Sequence, residues 1–154
     1  MKKVEIFTDG ACSGNPGKGG WGAVLIYKGV RRELSQGYEL TTNNRMELMA
    51  AIEGLAALKE PCDVRLFSDS KYLVDAIEKG WVDKWRERGW KRDKNKPALN
   101  ADLWKRLTEQ TEKHNVRFIW VKGHAENKEN ERCDEMARQA AQGAGLKSDL
   151  GYAG

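Results

Sequence analysis

The 154-residue chain predicts a single α/β domain in which a mixed β-sheet carries helices on its faces. Two observations support this class. Roughly the first 40 residues contain β-rich segments separated by glycine-containing turns, which is typical of antiparallel strands. After residue 43, segments of helical periodicity alternate with short β-rich runs, which favours parallel strands connected by helices.

The first strand is predicted at residues 4–8, where β-branched and aromatic residues predominate. Glycines and a proline in residues 10–17 predict a loop immediately after it. Asp9 is therefore expected where the strand ends and the loop begins, a common location for functional residues. The alternative is that Asp9 and Gly10 only form a turn.

Two further strands are expected at residues 21–27 and 31–40, which complete an antiparallel meander. A helix follows at residues 43–58, where leucine, isoleucine and alanine recur at helical spacing. Asn43 or Asn44 is the expected N-cap of this helix, and Pro61 ends it. A fourth strand at residues 64–67 leads into Ser68-Asp69-Ser70 and a short helix at residues 71–79.

The second half of the chain continues this alternation. Helices are predicted at residues 81–88, 101–114 and 130–142, a polar loop at residues 91–100 and a fifth strand at residues 116–121. Trp104 and Trp120 lie on these elements among apolar neighbours, so we assign both to the core. The domain is expected to span residues 1–142, and residues 143–154 are expected to form a flexible tail.

Composition excludes several classes of protein. The chain is 40% hydrophobic and 32% charged, as in ordinary globular domains. Its apolar runs are too short to cross a bilayer, and its N-terminus lacks the apolar segment of a secretory signal. We therefore expect a cytoplasmic protein with no membrane partner.

The three cysteines are too widely spaced for a zinc site and are interpreted as free thiols. A net charge of +4 suggests an acidic partner.

Four acidic residues occupy related places on the predicted elements. Asp9 and Asp69 end the first and fourth strands, Glu47 lies in the first turn of the first long helix, and Asp134 lies near the start of the last helix. If the first and fourth strands are neighbours, Asp9 and Asp69 emerge side by side. Structural alternatives also exist, because Glu47 could complete a capping box, while Asp69 and Asp134 could stabilise helix N-termini.

The position of Glu47 favours a role in binding. Glu47 shares a helical face with Ala50, Ala51 and Leu58, and a buried acid requires a cation or hydrogen-bond donors. Carboxylates clustered without cysteine or histidine suit hard cations such as Mg²⁺ or Mn²⁺. Two such ions about 4 Å apart suit phosphoryl transfer. Because no Walker-type lysine loop is present, nuclease or recombinase chemistry is favoured over nucleotide hydrolysis.

A cluster of basic and aromatic residues between residues 81 and 96 indicates nucleic-acid binding. Basic side chains can hold phosphates, while indole rings pack against sugars or bases. The alternative is a solvated helix anchored by buried tryptophans. The cluster includes Trp81, Lys84, Trp85, Arg86, Arg88, Trp90 and Lys91.

Five segments of the chain resemble the signature segments of bacterial type I ribonuclease H. The resemblance implies a five-stranded mixed sheet, three antiparallel strands followed by two parallel ones, with helices on both faces. It also implies a monomer that cleaves the RNA strand of RNA/DNA hybrids and leaves 5′-phosphate and 3′-hydroxyl ends. The segments are Phe7-Thr-Asp-Gly-Ala-Cys-Ser-Gly-Asn-Pro-Gly17, Thr41-Thr-Asn-Asn-Arg-Met-Glu-Leu48, Ser68-Asp-Ser70, Trp120-Val-Lys-Gly-His124 and Glu129-Asn-Glu-Arg-Cys-Asp134.

The resemblance also implies roles for individual residues. The four acids match metal-binding carboxylates for two Mg²⁺ ions, with Mn²⁺ as a substitute, and His124 matches a histidine on a mobile loop that moves protons or assists product release. Lys71 departs from the pattern, because many members of the family have glutamine there. The positions that match hybrid contacts are Gly10, Asn15, Thr42, Asn43, Asn44, Lys71, Trp81, Lys84, Trp85, Arg86 and Arg88.

Two other functions fit parts of the pattern less well. A strand-transfer enzyme or resolvase needs additional DNA-binding or multimerising domains, for which 154 residues leave no room. A hybrid-binding module without catalysis would keep the basic cluster but need not keep all four acids.

Overall fold

We describe the fold from a computed structural model, which covers residues 1–93, 96–122 and 127–152. Over these residues the chain alternates strands and helices in the order expected for an α/β domain. The elements are β1 (Lys2–Ser13), β2 (Gly17–Tyr27), β3 (Val30–Thr41), α1 (Asn43–Ala56), β4 (Cys62–Ser68), α2 (Lys71–Glu78), α3 (Trp81–Glu87), β5 (Lys91–Asp93), β6 (Lys96–Pro97), α4 (Ala101–Lys113), β7 (Asn115–Trp120) and α5 (Lys128–Gln142).

The main sheet has five strands in the order β3-β2-β1-β4-β7. The first three strands form an antiparallel meander, and β4 pairs in parallel with β1 on one side and with β7 on the other. This arrangement confirms the predicted fold class, a mixed sheet with three antiparallel and two further parallel strands. Within the part of the chain that the structure describes, no helix is long and apolar enough to span a membrane.

Helices cover both faces of the sheet. On one face α1, α2 and α4 bury the larger apolar core, which includes Ile6, Leu66 and the fully buried Trp104. On the other face α5 packs through Cys133 and Met136 against a smaller cluster on β1 and β2. All three cysteines are free thiols, as predicted, and two of them are buried.

The α5 helix lies very close to the sheet because β2 carries glycines beneath it. A Cβ added at Gly22 would lie 2.5 Å from the carbonyl oxygen of Cys133, and one at Gly20 would lie 2.4 Å from that of Ala137. Distances below 3 Å are not tolerated, so a larger residue at either position would displace the helix.

The first strand extends further than predicted. The structure shows β1 continuing to Ser13, where the sequence predicts a loop from residue 10. The parallel pairing with β4 ends at Thr8 opposite Ser68, but the antiparallel pairing with β2 continues to Ser13 opposite Lys18. Asp9 therefore lies within a strand and not at its end. Gly10 allows α1 to pack closely against this strand, because a Cβ there would lie 2.6 Å from the Glu47 backbone nitrogen.

Three other local predictions are wrong. The N-cap of α1 is Thr42 instead of Asn43 or Asn44, and its Oγ1 accepts a hydrogen bond from the Arg45 N–H at 3.3 Å. The predicted loop at residues 91–100 contains a short antiparallel ribbon of β5 and β6. Trp120 is 40% exposed, because its place at the end of β7 leaves the indole beside Asp69 and outside the core.

The segment after α5 differs from the predicted loose tail. Its backbone bonds to β3, where the Lys147 N–H donates to the Gly37 carbonyl at 3.0 Å and the Glu39 N–H donates to the Lys147 carbonyl at 2.9 Å. Asp149 is buried and pairs with Arg45. The composition of this segment gives no sign of the ion pair, because Arg45 lies 104 residues before Asp149 in the chain. The sequence therefore indicates a loose tail.

Candidate active site

The parallel pairing of β1 with β4 brings two acidic residues together at one edge of the sheet. Thr8 and Ser68 are the last paired residues of the two strands, so Asp9 and Asp69 directly follow the same point of the ladder. Asp69 leaves the sheet after β4, whereas Asp9 remains in β1 because that strand continues along β2. Both carboxylates therefore extend from neighbouring rigid backbone.

Gly10 connects Asp9 to the third acid, Glu47. Its single N–H donates to Asp9 Oδ1 and to Glu47 Oε1, each at 2.9 Å. A Cβ at residue 10 would lie 2.6 Å from the Glu47 backbone nitrogen. Glycine therefore allows β1 and α1 to approach closely enough for the two carboxylates to share a donor. Glu47 is the fifth residue of α1, just beyond the first turn in which it was predicted.

Asp9, Glu47 and Asp69 each offer an oxygen atom within 4.8 Å of the other two. Asp9 is only 3% exposed and Glu47 8% exposed, while Asp69 is half-buried. Glu47 Oε2 is buried and has no hydrogen-bond partner in the described part of the chain. Buried carboxylate oxygens of this kind suit a hard divalent cation, so the residues fit the predicted metal chemistry.

Burial strongly affects the protonation of this cluster. Burial raises the pKa of Asp9 from its ordinary value of 3.8 to about 7; the contact with Glu47 opposes the rise, and the negative charges of Asp69 and Asp134 add to it. Burial and the charge of Asp9 also raise the pKa of Glu47 well above its usual value. Without a cation the cluster therefore resists full ionisation, and a bound cation would relieve that cost.

Asp134, the fourth predicted acid, lies on α5 and outside the group of three. The helix is anchored to β1 beside the cluster, because Cys133 Sγ donates to the Phe7 carbonyl and Asn130 Nδ2 donates to the Thr8 carbonyl, each at 3.2 Å. Asp134 itself accepts a hydrogen bond from Arg138 Nε at 2.9 Å. Burial is the largest cause of the raised pKa of Asp9, and the negative charge of Asp134 raises that pKa further. His124 lies outside the described residues.

The structural alternatives for Asp69 and Glu47 do not account for these residues. Ser70 caps α2, because its Oγ accepts from the Leu73 N–H at 3.2 Å. Glu47 bonds to Gly10 on β1 instead of the start of its own helix, so it forms no capping box. Neither carboxylate is used as a helix cap, and both belong to the cluster with Asp9.

The predicted hybrid contacts beside the cluster come from two adjacent segments. The Asn43 N–H donates to Asn15 Oδ1 at 3.1 Å, which joins the β1–β2 turn to the start of α1. The side chains of Asn15, Asn43 and Asn44 are exposed, and Thr42 and Gly10 are half-buried. Exposed amides can donate and accept hydrogen bonds, which suits contact with base edges or 2′-hydroxyls.

Lys71 follows Asp69 at the start of α2 and lies next to Trp120. Its Nζ is 4.8 Å from the centre of the Trp120 ring, within the range of a cation–π contact. The Trp120 Nε1–H donates to the Asp69 backbone carbonyl at 3.2 Å. The core position predicted for this tryptophan is wrong, because its place at the end of a strand parallel to β4 puts it at the edge of the sheet.

The basic cluster lies on α3 and the residues that follow it up to Lys91 in β5, and the structure supports part of each interpretation that the sequence left open. Trp85 is half-buried with its ring 5.8 Å from that of Trp104, so it anchors the helix. Trp81 is exposed, as are Lys84, Arg86, Arg88 and Lys91. Arg86 also forms an ion pair with Glu112 at 2.5 Å. The helix therefore presents basic side chains to solvent from an anchored position.

Two residues near the site were not found by sequence reasoning. Asn130 is buried and bonds to the Thr8 carbonyl immediately before Asp9. Arg45 is buried in the first turn of α1 between two aspartates. Arg45 stands inside a quoted motif, but its partners are distant in sequence, so no local pattern indicates its burial.

Comparisons with known proteins show which family and fold the chain resembles. A family model described as RNase H matches residues 1–142. The ribonuclease H of Syntrophus aciditrophicus is 60% identical over 152 residues, covering 99% of this chain and 88% of that protein. LC9-RNase H1, a type 1 RNase H with the type 2 active-site motif, superimposes with a TM-score of 0.83 at 34% identity, over 92% of this chain and 73% of that one. LC11-RNase H1, solved in complex with an RNA/DNA hybrid, shares the fold at 23% identity with a TM-score of 0.66, over 90% and 96% of the two chains.

Proposed function

Because this chain belongs to the ribonuclease H family and is a hydrolytic nuclease, we propose that it cleaves the RNA strand of RNA/DNA hybrids with the help of two Mg²⁺ ions. The products are expected to carry 5′-phosphate and 3′-hydroxyl ends. Mn²⁺ is expected to substitute for Mg²⁺, since the oxygen ligands suit both ions.

The observation that carries this proposal is the cluster of Asp9, Glu47 and Asp69, whose oxygens lie within 4.8 Å of one another. These three carboxylates, with Asp134 contributed by α5, would hold the ions. Bound divalent cations supply Lewis acidity, a more acidic water and neutralisation of charge on the phosphate. The cost of keeping buried carboxylates ionised explains why the site would take up cations readily.

The residues of the chain orient this chemistry. Gly10 fixes the carboxylates of Asp9 and Glu47 by donating to both, and the β1–β4 ladder fixes Asp9 relative to Asp69. In the proposed reaction a water oxygen bonds to phosphorus and the bond from phosphorus to the 3′ oxygen breaks. We assign the proton transfer to the departing oxygen, or assistance in product release, to His124.

Recognition of the hybrid is assigned to surfaces on either side of the carboxylates. Gly10, Asn15, Thr42, Asn43 and Asn44 would contact the minor groove, where 2′-hydroxyls distinguish RNA from DNA. Lys71 and the exposed basic residues of α3 would hold phosphates. We propose that the protein acts as a monomer with residues 1–142 as the catalytic domain.

A cleavage assay on matched nucleic acids tests the proposed function. The protein is incubated with Mg²⁺ and end-labelled RNA/DNA hybrid, duplex DNA or duplex RNA of the same sequence. We expect cuts only in the RNA strand of the hybrid, with 5′-phosphate ends identified by mass spectrometry. Equal cutting of duplex DNA, or 2′,3′-cyclic phosphate products, would contradict the proposal.

A further inference from the structure

A buried ion-pair arrangement lies behind the first turn of α1 and takes no part in the reaction proposed above. Arg45 is 2% exposed, and its guanidinium donates to two carboxylates. The bonds to Asp149 measure 2.7 and 2.9 Å, and those to Asp102 at the start of α4 measure 2.9 and 2.7 Å. Paired charged bonds of this kind fix both distance and orientation.

Asp149 reaches Arg45 because the segment that carries it is attached to the sheet. We refer to residues 145–152 as the C-terminal strap. Its Lys147 exchanges backbone hydrogen bonds with Gly37 and Glu39 of β3. Asp149 is then inserted into the interior, where it also accepts a bond from Thr41 Oγ1 at 2.7 Å. The strap therefore joins the end of β3 to the beginning of α1.

The contacts of Arg45 converge on the residues assigned to hybrid recognition. Its own N–H donates to the capping oxygen of Thr42 at 3.3 Å. Asn43 and Asn44 lie between these two residues in the first turn. Glu47, two residues after Arg45, has a separate anchor in the Gly10 N–H. Loss of the strap should therefore loosen the first turn more than the carboxylate cluster.

We propose that the C-terminal strap is a positioning element of the substrate site. Asp149, acting through Arg45, holds the first turn of α1 in the conformation in which Asn43 and Asn44 contact the hybrid. This role rests on the proposed function, because it assumes that the first turn of α1 binds substrate. Asp149 and Arg45 themselves contact neither substrate nor metal.

The test compares steady-state cleavage by full-length variants at a temperature where thermal melts show each of them folded. Asp149→Asn keeps the shape of the side chain but removes its charge. We expect its KM for the hybrid to rise about tenfold while kcat changes less than about twofold, because ground-state contacts weaken. Leu150→Ala is the matched control, since Leu150 is in the same strap but 95% exposed. It should retain wild-type KM and kcat.

A second variant tests the same role independently, in case Asp149→Asn does not fold. Gly151→Ala leaves every charge in place, but the added Cβ would lie 1.8 Å from Asp102 Oδ2 and 2.8 Å from Arg45 Nη2, so either the Asp102–Arg45 pair or the strap must shift. We expect a smaller rise in KM in the same direction. Unchanged KM in both variants, or a fall in kcat as large as the rise in KM, would overturn the positioning role.

Hydrogen exchange in the absence of nucleic acid separates this inference from the proposed function. In Asp149→Asn the amides of Arg45 and Met46 should exchange at least about tenfold faster, while those of Ile52 and Leu55 keep wild-type rates. Equal exchange at all four amides would refute the strap's effect on the first turn. If the wild type failed to cleave hybrids, the proposed function would be wrong, and the exchange result would still decide whether the strap holds α1.

Discussion

Replacing Asp9 with asparagine should stabilise the protein in the absence of metal. Burial raises the pKa of Asp9 from 3.8 to about 7, and each unit corresponds to about 1.36 kcal/mol. The ionised carboxylate therefore costs at most about 4 kcal/mol near neutral pH. The amide of the Asp9→Asn variant keeps an oxygen for the Gly10 N–H and removes the charge beside Glu47. Because the two acids share this cost, we expect a gain of about 2 to 3 kcal/mol.

The sign of the pH dependence follows from the direction of the pKa shift. The folded protein holds the Asp9 proton at a higher pH than the unfolded chain does, so wild-type stability falls as pH rises from about 4 to about 7. The Asp9→Asn variant has no carboxyl at residue 9, so its stability lacks this pH-dependent loss. The difference in stability between Asp9→Asn and wild type should therefore be small near pH 4 and largest above about pH 7.

Thermal and denaturant melts in the presence of a chelator measure this difference. For a domain of this size the variant should melt roughly 5 to 10 °C higher near neutral pH. Added Mg²⁺ should reduce the difference in melting temperature between the variant and the wild type, because it stabilises the folded wild type. Asp63→Asn, at the opposite end of β4, is the matched control and should show no such gain. A variant no more stable than wild type, or a pH-independent difference, would refute the reasoning.

Three further predictions concern the basic surface, the histidine and the packing of α5. Alanine at four basic positions should lower the slope of log affinity against log salt by roughly 0.7 to 0.9 for each lost phosphate contact, as measured by hybrid binding at several salt concentrations; an unchanged slope would indicate a merely solvated face. These positions are Lys84, Arg86, Arg88 and Lys91. His124→Ala should slow single-turnover cleavage by about 10² to 10⁴ while hybrid binding in Ca²⁺ is retained, and loss of that binding would contradict a proton-transfer role. Gly22→Ala should lower stability by about 1 to 3 kcal/mol in denaturant melts, because its Cβ would lie 2.5 Å from the Cys133 carbonyl; wild-type stability would show that α5 can shift freely.

The order and type of the main elements were predictable because each has a local signal. The helical spacing of Leu48, Ile52 and Leu55 follows from burial of one face of α1. The β-rich segments at residues 4–8 and 64–67 became adjacent parallel strands as expected. Juxtaposition of Asp9 and Asp69 then follows from their shared position at the end of this ladder.

Features that depend on distant contacts were not predictable in the same way. The glycines after Asp9 indicate a loop, but antiparallel pairing with residues 18–21 of β2 keeps residues 10–13 in the strand. The strap was predicted as a loose tail because Asp149 has no local partner, and Arg45 becomes one only after the chain has folded. Trp120 has a core-like sequence context, yet its exposure depends on where β7 ends beside Asp69.

The roles of the four acids rest partly on family resemblance. Spacing alone left a capping or structural role open for each one. The shared Gly10 donor and a Glu47 Oε2 without a hydrogen-bond partner among the described residues distinguish the cluster from helix caps, and neither feature is visible in the sequence. Asp134 lies outside the group of three oxygens in the structure, so its part in metal binding stays a prediction.

We propose that the cluster of Asp9, Glu47 and Asp69 holds the divalent ions required for cleavage. The decisive experiment is a Mg²⁺ titration of single-turnover hybrid cleavage by wild type and Asp69→Asn, with Asp63→Asn as a control from the same strand. Asp63 lies at the other end of β4, where it bonds to Asn115 at 3.1 Å. The wild type and the control should show cleavage rates that rise with Mg²⁺ and saturate, while Asp69→Asn stays at background throughout. A titration curve for Asp69→Asn that saturates at the wild-type rate would show that the cluster does not hold the required ions.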